Sequence, residues 1–328
     1  MRNVPMTTVG MLGAGGIATM HIASWLRLGV DVLVHSLEGA DELVARHGRG
    51  EVVGSLDELL SRSDLVDVCT PTHTHRALVE AAAAAGKDVV CEKPLARTVE
   101  DTEAMIEACR RAGVALHPAH VVRFFPEYSV MHDAVARGRL GDLAVQRYDR
   151  HGTAPGPGWF RDEGLSGGIV MDLMIHDLDF ARWNAGPVAS VRAVRSGAEG
   201  SGTVAANVVL THRSGSISSV GGVWSAGPVA FRTRFEVAGT GGLLRHDSAD
   251  NPVTWTNGGS TPDRDGYAPK VAMGESPYLT ELREFLAATR GGPTPRVTAQ
   301  DGLEAVRIAQ AALQSLVVDD AVSLEDAR

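Results

Sequence analysis

A glycine-rich turn near the start of the chain constrains the fold more than any other feature. The apolar run Thr8–Leu12 has the pattern of a strand, and the sequence GAGGIA follows it directly and opens a helical pattern. The first glycine permits a tight turn, the second lets a pyrophosphate approach the backbone, and the final alanine keeps the helix close to the sheet. N–H groups at the helix start can then bind phosphate. The alternative is a glycine turn without a ligand. The predicted cofactor contacts of this turn are Gly13, Gly15, Gly16 and Ile17.

The first third of the chain alternates between short apolar strands and helical patterns. Strands are predicted at Thr8–Leu12, Val30–Val34, Leu65–Thr70, Val89–Cys91 and Val114–His117. Helices are predicted at Ile17–Leu28, Asp41–His47, Leu56–Ser61, Arg76–Ala85 and Val99–Ala112. Crossover helices connect parallel strands. The pattern therefore predicts an α/β chain whose residues 1–120 form a doubly wound, dinucleotide-binding Rossmann domain.

The pattern changes at about residue 121. Here the sequence predicts a helix at Tyr128–Ala136, a strand at Leu143–Asp149, a polar loop over residues 151–167 and a helix over residues 170–184. Five strands then follow without helices between them, which predicts a mostly antiparallel sheet in an α+β domain spanning residues 121–328. A long surface loop is expected at Asn257–Gly274, and a last helix at about residues 299–317.

Composition excludes several classes of protein. Hydrophobic residues at 44% and charged residues at 22% are typical of a globular protein. A net charge of -9 argues against nucleic-acid binding, which needs a basic face. The sequence predicts neither a membrane helix nor a secretory signal. The three cysteines have no metal-binding spacing, so we expect reduced thiols, no bound metal and a cytoplasmic protein.

The end of the second predicted strand bears on the choice of cofactor. An acid at this point would bind the ribose of NAD, but the chain has His35 and Ser36 here, and Glu38 comes too late. Ser36 could bond a 2′-phosphate, although no arginine lies beside it. Both residues are predicted cofactor contacts. The sequence thus favours NADP slightly and leaves NAD open.

Two further loops follow strands at the carboxyl edge of the predicted sheet, where open α/β sheets bind ligands. After the third predicted strand, Thr70, Pro71 and His75 are expected to contact a cofactor, with a solvent-facing helix start as the alternative. After the fourth, Glu92 and Lys93 are predicted contacts. A lysine beside a nicotinamide can pass a proton while hydride moves.

A second candidate cluster combines Asp172, His176 and Asp179. On a regular helix the first two lie four residues apart and share a face. A carboxylate beside a histidine fixes its tautomer and supports its cationic form, as proton transfer requires. A structural Asp–His pair and a metal site are the alternatives, and the metal site lacks further ligands.

Together these motifs resemble the Gfo/Idh/MocA oxidoreductase family over nearly the whole chain. The resemblance depends on the glycine turn, on the sequence Glu92-Lys93-Pro94, and on Gly167 leading to Asp172 and His176. It implies a Rossmann domain, a second domain whose open sheet often forms an oligomer interface, and a cis peptide before Pro94. It also implies a homodimer or homotetramer.

The resemblance further implies roles for particular residues. Lys93 would contact the nicotinamide ribose and the substrate hydroxyl, His176 would be the general base, and Asp172 would orient substrate or imidazole. Which of Lys93 and His176 moves the proton is left open. Arg123 could bind substrate oxygens or form a structural salt bridge, and Trp159 could stack on a sugar or pack in the core.

The sequence therefore predicts an NAD(P)-dependent dehydrogenase or reductase acting on a secondary alcohol of a sugar, inositol or related polyol. Its expected partners are a small-molecule substrate and copies of itself, with no nucleic acid or membrane. Two alternatives stay open at this point: an NAD-dependent glycoside hydrolase and a non-catalytic, cofactor-sensing regulator.

Overall fold

The computed structural model describes residues 7–156, 158–197, 202–250 and 275–324. These residues divide into two compact units. The first unit contains the chain up to Phe124 together with Glu275–Val306. The second contains the chain from Phe125 to residue 250 and the residues from Arg307 onward. This division differs from the predicted single boundary between residues 120 and 121, because a late segment belongs with the N-terminal one.

The described part of the first unit contains one six-stranded parallel sheet. Its strands are β1 (Thr8–Leu12), β2 (Asp31–His35), β3 (Glu51–Val52), β4 (Leu65–Val68), β5 (Asp88–Glu92) and β6 (Leu116–Ala119). Their order, β3-β2-β1-β4-β5-β6, is the Rossmann order, with a switch point between β1 and β4. Five of these six strands begin and end within one or two residues of their predicted bounds, which confirms the prediction. The exception is β3, a pair of exposed residues with no apolar pattern to reveal it.

Helices cover both faces of this sheet and bury two separate apolar clusters against it. They begin with α1 (Gly16–Arg27), α2 (Ala40–His47), α3 (Leu56–Arg62), α4 (His75–Ala84) and α5 (Val99–Ala112). Thr98 caps the start of α5, because its hydroxyl accepts a hydrogen bond from the Asp101 N–H at 3.1 Å. Glycines at positive φ follow α2 and α5, where the left-handed conformation ends a helix.

The described part of the second unit contains a seven-stranded sheet. Its strands are β7 (Leu143–Thr153), β8 (Val188–Ser196), β9 (Val204–His212), β10 (Ile217–Ser225), β11 (Arg232–Gly239), β12 (Gly242–Asp247) and β13 (Val322–Ser323). Their order is β12-β11-β7-β10-β9-β8-β13, and among the described strands of this second sheet only the β7–β10 pair is parallel. The mostly antiparallel open sheet is thus confirmed.

Short helices precede and follow β7. They are α6 (Pro126–Ala136), α7 (Gly158–Arg161), α8 (Glu163–Ser166) and α9 (Ile175–Ala185), the last entered through a π-helical turn at Val170–Met174. The predicted loop over residues 151–167 was wrong in part, since β7 continues to Thr153 and two helical turns follow it. Tyr128, Phe180 and Phe235 pack edge to face in the core, with ring centroids 5.0 and 5.1 Å apart.

Two late helices explain the division of the chain. They are α10 (Pro277–Thr289) and α11 (Ala299–Val318). The second matches its prediction closely, whereas α10 was not predicted. Leu282, Phe285 and Leu286 of α10 join the apolar cluster formed by β1, β2 and α1. That burial assigns α10 to the first unit and corrects the predicted boundary. The predicted loop at Asn257–Gly274 lies outside the described residues, and no described helix is long and apolar enough to span a membrane.

Candidate active site

The glycine turn lies where three strands of the first unit end. Gly13 has a φ of +99°, and a Cβ placed there would lie 2.7 Å from the carbonyl oxygen of Cys69. Its N–H donates a hydrogen bond to the carbonyl oxygen of His35 at 2.9 Å. Only glycine meets both demands, because other residues rarely adopt a positive φ. The turn therefore joins the carboxyl ends of β1, β2 and β4 at the switch point.

The start of α1 is shaped for an anion. Gly15 is the N-cap, no side chain caps the helix, and its first turn contains no acidic residue. A Cβ added at Gly15 or Gly16 would meet nothing within 4 Å, and both glycines are exposed. The half-buried Ile17 follows them in the first turn. Backbone N–H groups at such a helix start bind phosphate, so these residues fit the pyrophosphate of a dinucleotide.

The end of β2 presents no carboxylate. The His35 ring is half-buried, with Nδ1 3.1 Å from the carbonyl oxygen of Val53. Ser36 is also half-buried, while Leu37 is fully exposed. Glu38 is exposed one residue before Gly39, the N-cap of α2. In the structure, as in the sequence, His35 and Ser36 stand at the end of β2, where an NAD-type site would carry an acid.

The loop after β4 is connected to the loop after β5 by His75. Its ring is buried, with Nε2 2.9 Å from the carbonyl oxygen of Thr70 and Nδ1 3.0 Å from that of Pro94. Burial lowers the pKa of His75. Thr70 and Pro71 are half-buried, and the Thr74 hydroxyl donates to the Thr70 hydroxyl at 2.7 Å. His75 thus holds two loops at the carboxyl edge of the sheet, and its direct contact with a cofactor stays a prediction.

The loop after β5 places Lys93 at the same edge. Lys93 is half-buried, and its peptide bond to Pro94 is cis, as the resemblance implies. Glu92 is buried and fixes this loop, because its Oε2 accepts the Lys93 backbone N–H at 3.0 Å. The structure therefore brings Lys93, the Thr70 loop and the glycine turn to one edge of one sheet.

In the second unit, Asp172 lies on the π-helical turn and His176 lies on the first turn of α9. Asp172 is buried and His176 half-buried. The hydrogen bonds of a π-helical turn join residues five apart, whereas those of an α-helix join residues four apart. The predicted shared face of Asp172 and His176, which assumed an α-helix, therefore does not follow. Such turns occur often at functional sites. Gly167 and Gly168 both adopt positive φ directly before this turn.

Arg123 and Trp159 were both predicted to contact the substrate, and the structure shows which residues surround each of them. Arg123 is 1% exposed, with Nη2 3.3 Å from Asp301 and Nη1 donating to the Arg296 carbonyl oxygen at 2.9 Å. This favours the structural salt bridge over a substrate contact. Trp159 is half-buried on α7 and stacks on Phe160, with ring centroids 3.8 Å apart. Its role stays a prediction.

Comparison with known proteins agrees with these motifs. Residues 7–120 match the oxidoreductase family with an NAD-binding Rossmann fold, and residues 128–245 match the GFO/IDH/MocA C-terminal domain. The 1,5-anhydro-D-fructose reductase of Ensifer adhaerens is 30% identical over 98% of this chain and 99% of its own. The chain belongs to the Gfo/Idh/MocA oxidoreductase family.

Two further proteins illustrate the likeness. The myo-inositol 2-dehydrogenase of Thermotoga maritima is 30% identical, covering 97% of this chain and 98% of its own. The crystal structure of GenD2 from gentamicin A biosynthesis, in complex with NAD, superposes with a TM-score of 0.88 at 25% identity, covering 99% and 98% of the two chains. The likeness therefore covers both units.

Sequence reasoning missed a buried polar cluster behind the Gfo/Idh/MocA motif Glu92-Lys93-Pro94. His21 of α1 and Asp67 of β4 are fully buried, and His21 bonds to both Asp67 and Glu92. An acid in the otherwise apolar strand Leu65–Val68 is the signal that could have revealed it, since a buried charge requires a partner.

One triplet in this cluster has ligand atoms close enough for an ion: His21, Asp67 and Cys69. His21 Nδ1 lies 2.9 Å from Asp67 Oδ2. Ligand atoms around a tetrahedral zinc ion lie about 3.3 Å apart, given metal–ligand bonds near 2 Å. The shorter distance is that of a hydrogen bond. Burial, with the Asp67 carboxylate nearby, raises the pKa of the Cys69 thiol and keeps it protonated.

Proposed function

We propose that the protein transfers hydride between a nicotinamide cofactor and a secondary alcohol carbon of a sugar, inositol or related polyol. One observation carries the proposal: the Lys93 loop and the glycine turn lie at the same carboxyl edge of one Rossmann sheet. Open α/β sheets bind their ligands at this edge. Family relatives named as an anhydrofructose reductase and a myo-inositol dehydrogenase support the substrate class.

We assign roles in this reaction to three side chains of the protein. When bound, the nicotinamide supplies the carbon that accepts or donates hydride. We assign to Lys93 the contact with the nicotinamide ribose and the substrate hydroxyl. His176 or Lys93 takes the hydroxyl proton, and Asp172 orients the substrate or the imidazole. A positioned acid–base group contributes about 10²- to 10⁴-fold to such a reaction.

The direct test follows the hydride itself. A panel of sugars, inositols and polyols, each deuterated at one carbinol carbon, is incubated with the protein and each oxidised cofactor. The proposal expects deuterium in the reduced nicotinamide for at least one compound. Tight cofactor binding without deuterium transfer from any compound would contradict it and would indicate a cofactor-sensing role. Release of free sugar from an aryl glycoside without net cofactor reduction would indicate a hydrolase.

For the cofactor we favour NADP slightly over NAD, because the end of β2 carries His35 and Ser36 in place of an acid. A thermal-shift titration with the two cofactors side by side tests this, since a ligand that binds only folded protein raises the midpoint with concentration. NADP should give the larger shift at equal concentration, and Ser36→Asp should reverse the order. A larger shift with NAD in the wild-type protein would overturn the preference.

We also propose that the protein acts in the cytoplasm as a homodimer or homotetramer, without nucleic acid or membrane partners. The net charge of -9 is consistent with the absence of a nucleic-acid partner. Sedimentation equilibrium measures the assembly directly. A monomer across the micromolar range would contradict this part of the proposal.

A further inference from the structure

A chain of hydrogen bonds runs behind Lys93 through the interior of the first unit. Asp67 Oδ2 accepts from the Trp25 indole at 2.6 Å and lies 2.9 Å from His21 Nδ1. His21 Nε2 lies 3.1 Å from Glu92 Oε1. The other oxygen of Glu92 accepts the Lys93 backbone N–H at 3.0 Å. The imidazole is thus the link between a buried strand and the predicted catalytic loop.

The surroundings of His21 make the ring a double donor. Its two nitrogens face carboxylate oxygens, which accept hydrogen bonds, so both nitrogens carry protons. Burial lowers the pKa of His21, but the Asp67 carboxylate beside the ring raises that pKa, which lies well above its usual value. From α10, the Tyr278 ring lies 6.0 Å from the His21 ring. A cation between two anions forms strong, directional hydrogen bonds.

A third acid lies near the His21, Asp67 and Glu92 side chains. Glu281 of α10 is fully buried, and neither of its carboxylate oxygens has a hydrogen-bond partner in the described part of the chain. Burial, together with the Glu92 carboxylate, raises the pKa of Glu281 well above its usual value. Burial therefore favours the neutral form of Glu281, and the His21 ring is the basic group between Asp67 and Glu92. Buried ionic groups of this kind cost stability, which favours a role in function over a role in folding.

We propose that His21 is a positioning residue, whose ring fixes the Glu92 carboxylate and through it the backbone of Lys93. The inference rests on the proposed function, because it concerns the geometry in which Lys93 meets cofactor and substrate. Without the ring, Glu92 loses the partner that orients it, and the Lys93 N–H loses a fixed acceptor. A displacement of about 1 Å at a catalytic group can lower the rate about 10²-fold.

Two substitutions separate the two hydrogen bonds of the ring. The amide of asparagine lies near the position of Nδ1, so His21→Asn keeps a donor toward Asp67 and loses the one toward Glu92. The amide of glutamine reaches the position of Nε2, so His21→Gln keeps the donor toward Glu92. We expect kcat to fall about 10- to 100-fold in His21→Asn and less than about fivefold in His21→Gln. The dissociation constant of the cofactor should change less than about threefold in both.

The matched control is His117→Leu. His117 of β6 is buried in the same unit, stacks on Phe285 with ring centroids 5.0 Å apart, and burial lowers its pKa to about 4. It is a neutral packing residue outside the hydrogen-bond chain. His117→Leu should keep kcat within about threefold of the wild-type value whatever its cost in stability.

Amide hydrogen exchange provides a readout that does not need turnover. Pro94 has no amide hydrogen, so a short peptide spanning Lys93 and Pro94 reports mainly the Lys93 N–H. Its exchange should accelerate at least about tenfold in His21→Asn and remain near the wild-type rate in His21→Gln and His117→Leu. If no alcohol is turned over by the wild-type protein, the proposed function fails, and this exchange experiment still decides the positioning role.

Wild-type kcat and exchange in His21→Asn, or equal losses in the Asn and Gln variants, would overturn the proposal. Should His21→Asn not fold, Glu92→Leu takes its place. Leucine offers no acceptor, so both the His21 bond and the Lys93 N–H bond are lost, and the same fall in kcat is expected. An unchanged kcat in Glu92→Leu would likewise overturn the proposal.

Discussion

Two buried groups of charged side chains, one in each unit, balance their charge differently. In the second unit, Arg150 of β7 donates to Asp177 of α9 through Nε and Nη2, both at 2.8 Å. The Tyr128 hydroxyl adds a third bond to Asp177 at 3.1 Å. One cation thus matches one anion. Behind Lys93 in the first unit, the one His21 ring faces two carboxylates, and Glu281, whose pKa burial raises, lies beside them.

The difference separates two uses of buried charge. A matched pair has no need to change its state, and the removal of one partner leaves the other charge buried without a counter-ion. An excess of acids behind a loop that carries a candidate catalytic lysine costs stability and orients that loop. We therefore expect substitutions in the second unit's pair to act on folding, and substitutions behind Lys93 to act on turnover.

The largest effect is expected from Asp177→Ala, which leaves the Arg150 guanidinium buried without its anion. The free energy of unfolding should fall by about 3–5 kcal/mol, measured by denaturant unfolding. The control is Glu236→Ala, which breaks the solvent-exposed pair with Arg147 in the same sheet and should cost less than about 1 kcal/mol. Equal costs for the two variants would contradict the interpretation of the buried pair.

A smaller loss of stability is expected from Arg123→Met in the first unit. Burial raises the pKa of Asp301, but Arg123 and the Thr298 bonds outweigh burial and lower it to about 2. The pair should contribute about 1–3 kcal/mol at neutral pH. A lowered folded-state pKa stabilises above the unfolded value near 3.9, and this contribution disappears as pH falls toward 2.

Melting curves from pH 2 to pH 7 test this prediction for Arg123. Wild type and Arg123→Met should differ most near neutral pH and converge at pH 2, with KM within about threefold of the wild-type value. A tenfold rise in KM without a loss of stability would support the substrate contact instead.

The smallest effect, and one of opposite sign, is expected from Glu281→Gln. The raised pKa of Glu281 means that its contribution to stability is complete below its ordinary value and is lost as pH rises. The neutral amide avoids this loss, so the melting temperature should exceed that of wild type by roughly 2–4 °C at pH 8, and the advantage should vanish near pH 4.

Glu284→Gln is the matched control on the same helix, because Glu284 bonds to the Arg296 Nε at 2.9 Å and is half-buried. It should show no such gain at high pH. A Glu281→Gln variant that is less stable than wild type at pH 8 would indicate that Glu281 is ionised in the folded protein.

The first unit's sheet was largely predictable, because strand and helix periods alternate clearly and glycines mark the turns. The helix α10 was missed although Ser276-Pro277 and the apolar spacing Leu279, Leu282, Phe285 and Leu286 indicated it. Its place in the first unit could not be predicted, since no local pattern tells which core a late helix joins. The π-helical turn at Asp172 could not be predicted either, because its sequence contains no residue that distinguishes it from an α-helix.

The candidate site divides in the same way. Lys93, Glu92 and the glycine turn follow strands directly, so their common edge follows from parallel topology. The hydrogen bonds behind them join residues 46 and 71 positions apart. Such pairings depend on strand order and side-chain direction, which one sequence does not supply. His75 and Arg123 were recognised as candidates, but only their buried partners indicate that they hold structure.

The central claim is tested most directly by comparing the two lysines that flank β5. Lys87 precedes the strand, and its Nζ donates to the Ser63 carbonyl oxygen at 2.7 Å, whereas Lys93 follows the strand. Turnover and cofactor binding are measured for Lys93→Met and Lys87→Met. We predict that Lys93→Met lowers kcat at least about 10²-fold while the cofactor dissociation constant stays within about threefold, and that Lys87→Met changes neither. Full turnover in Lys93→Met would contradict the account.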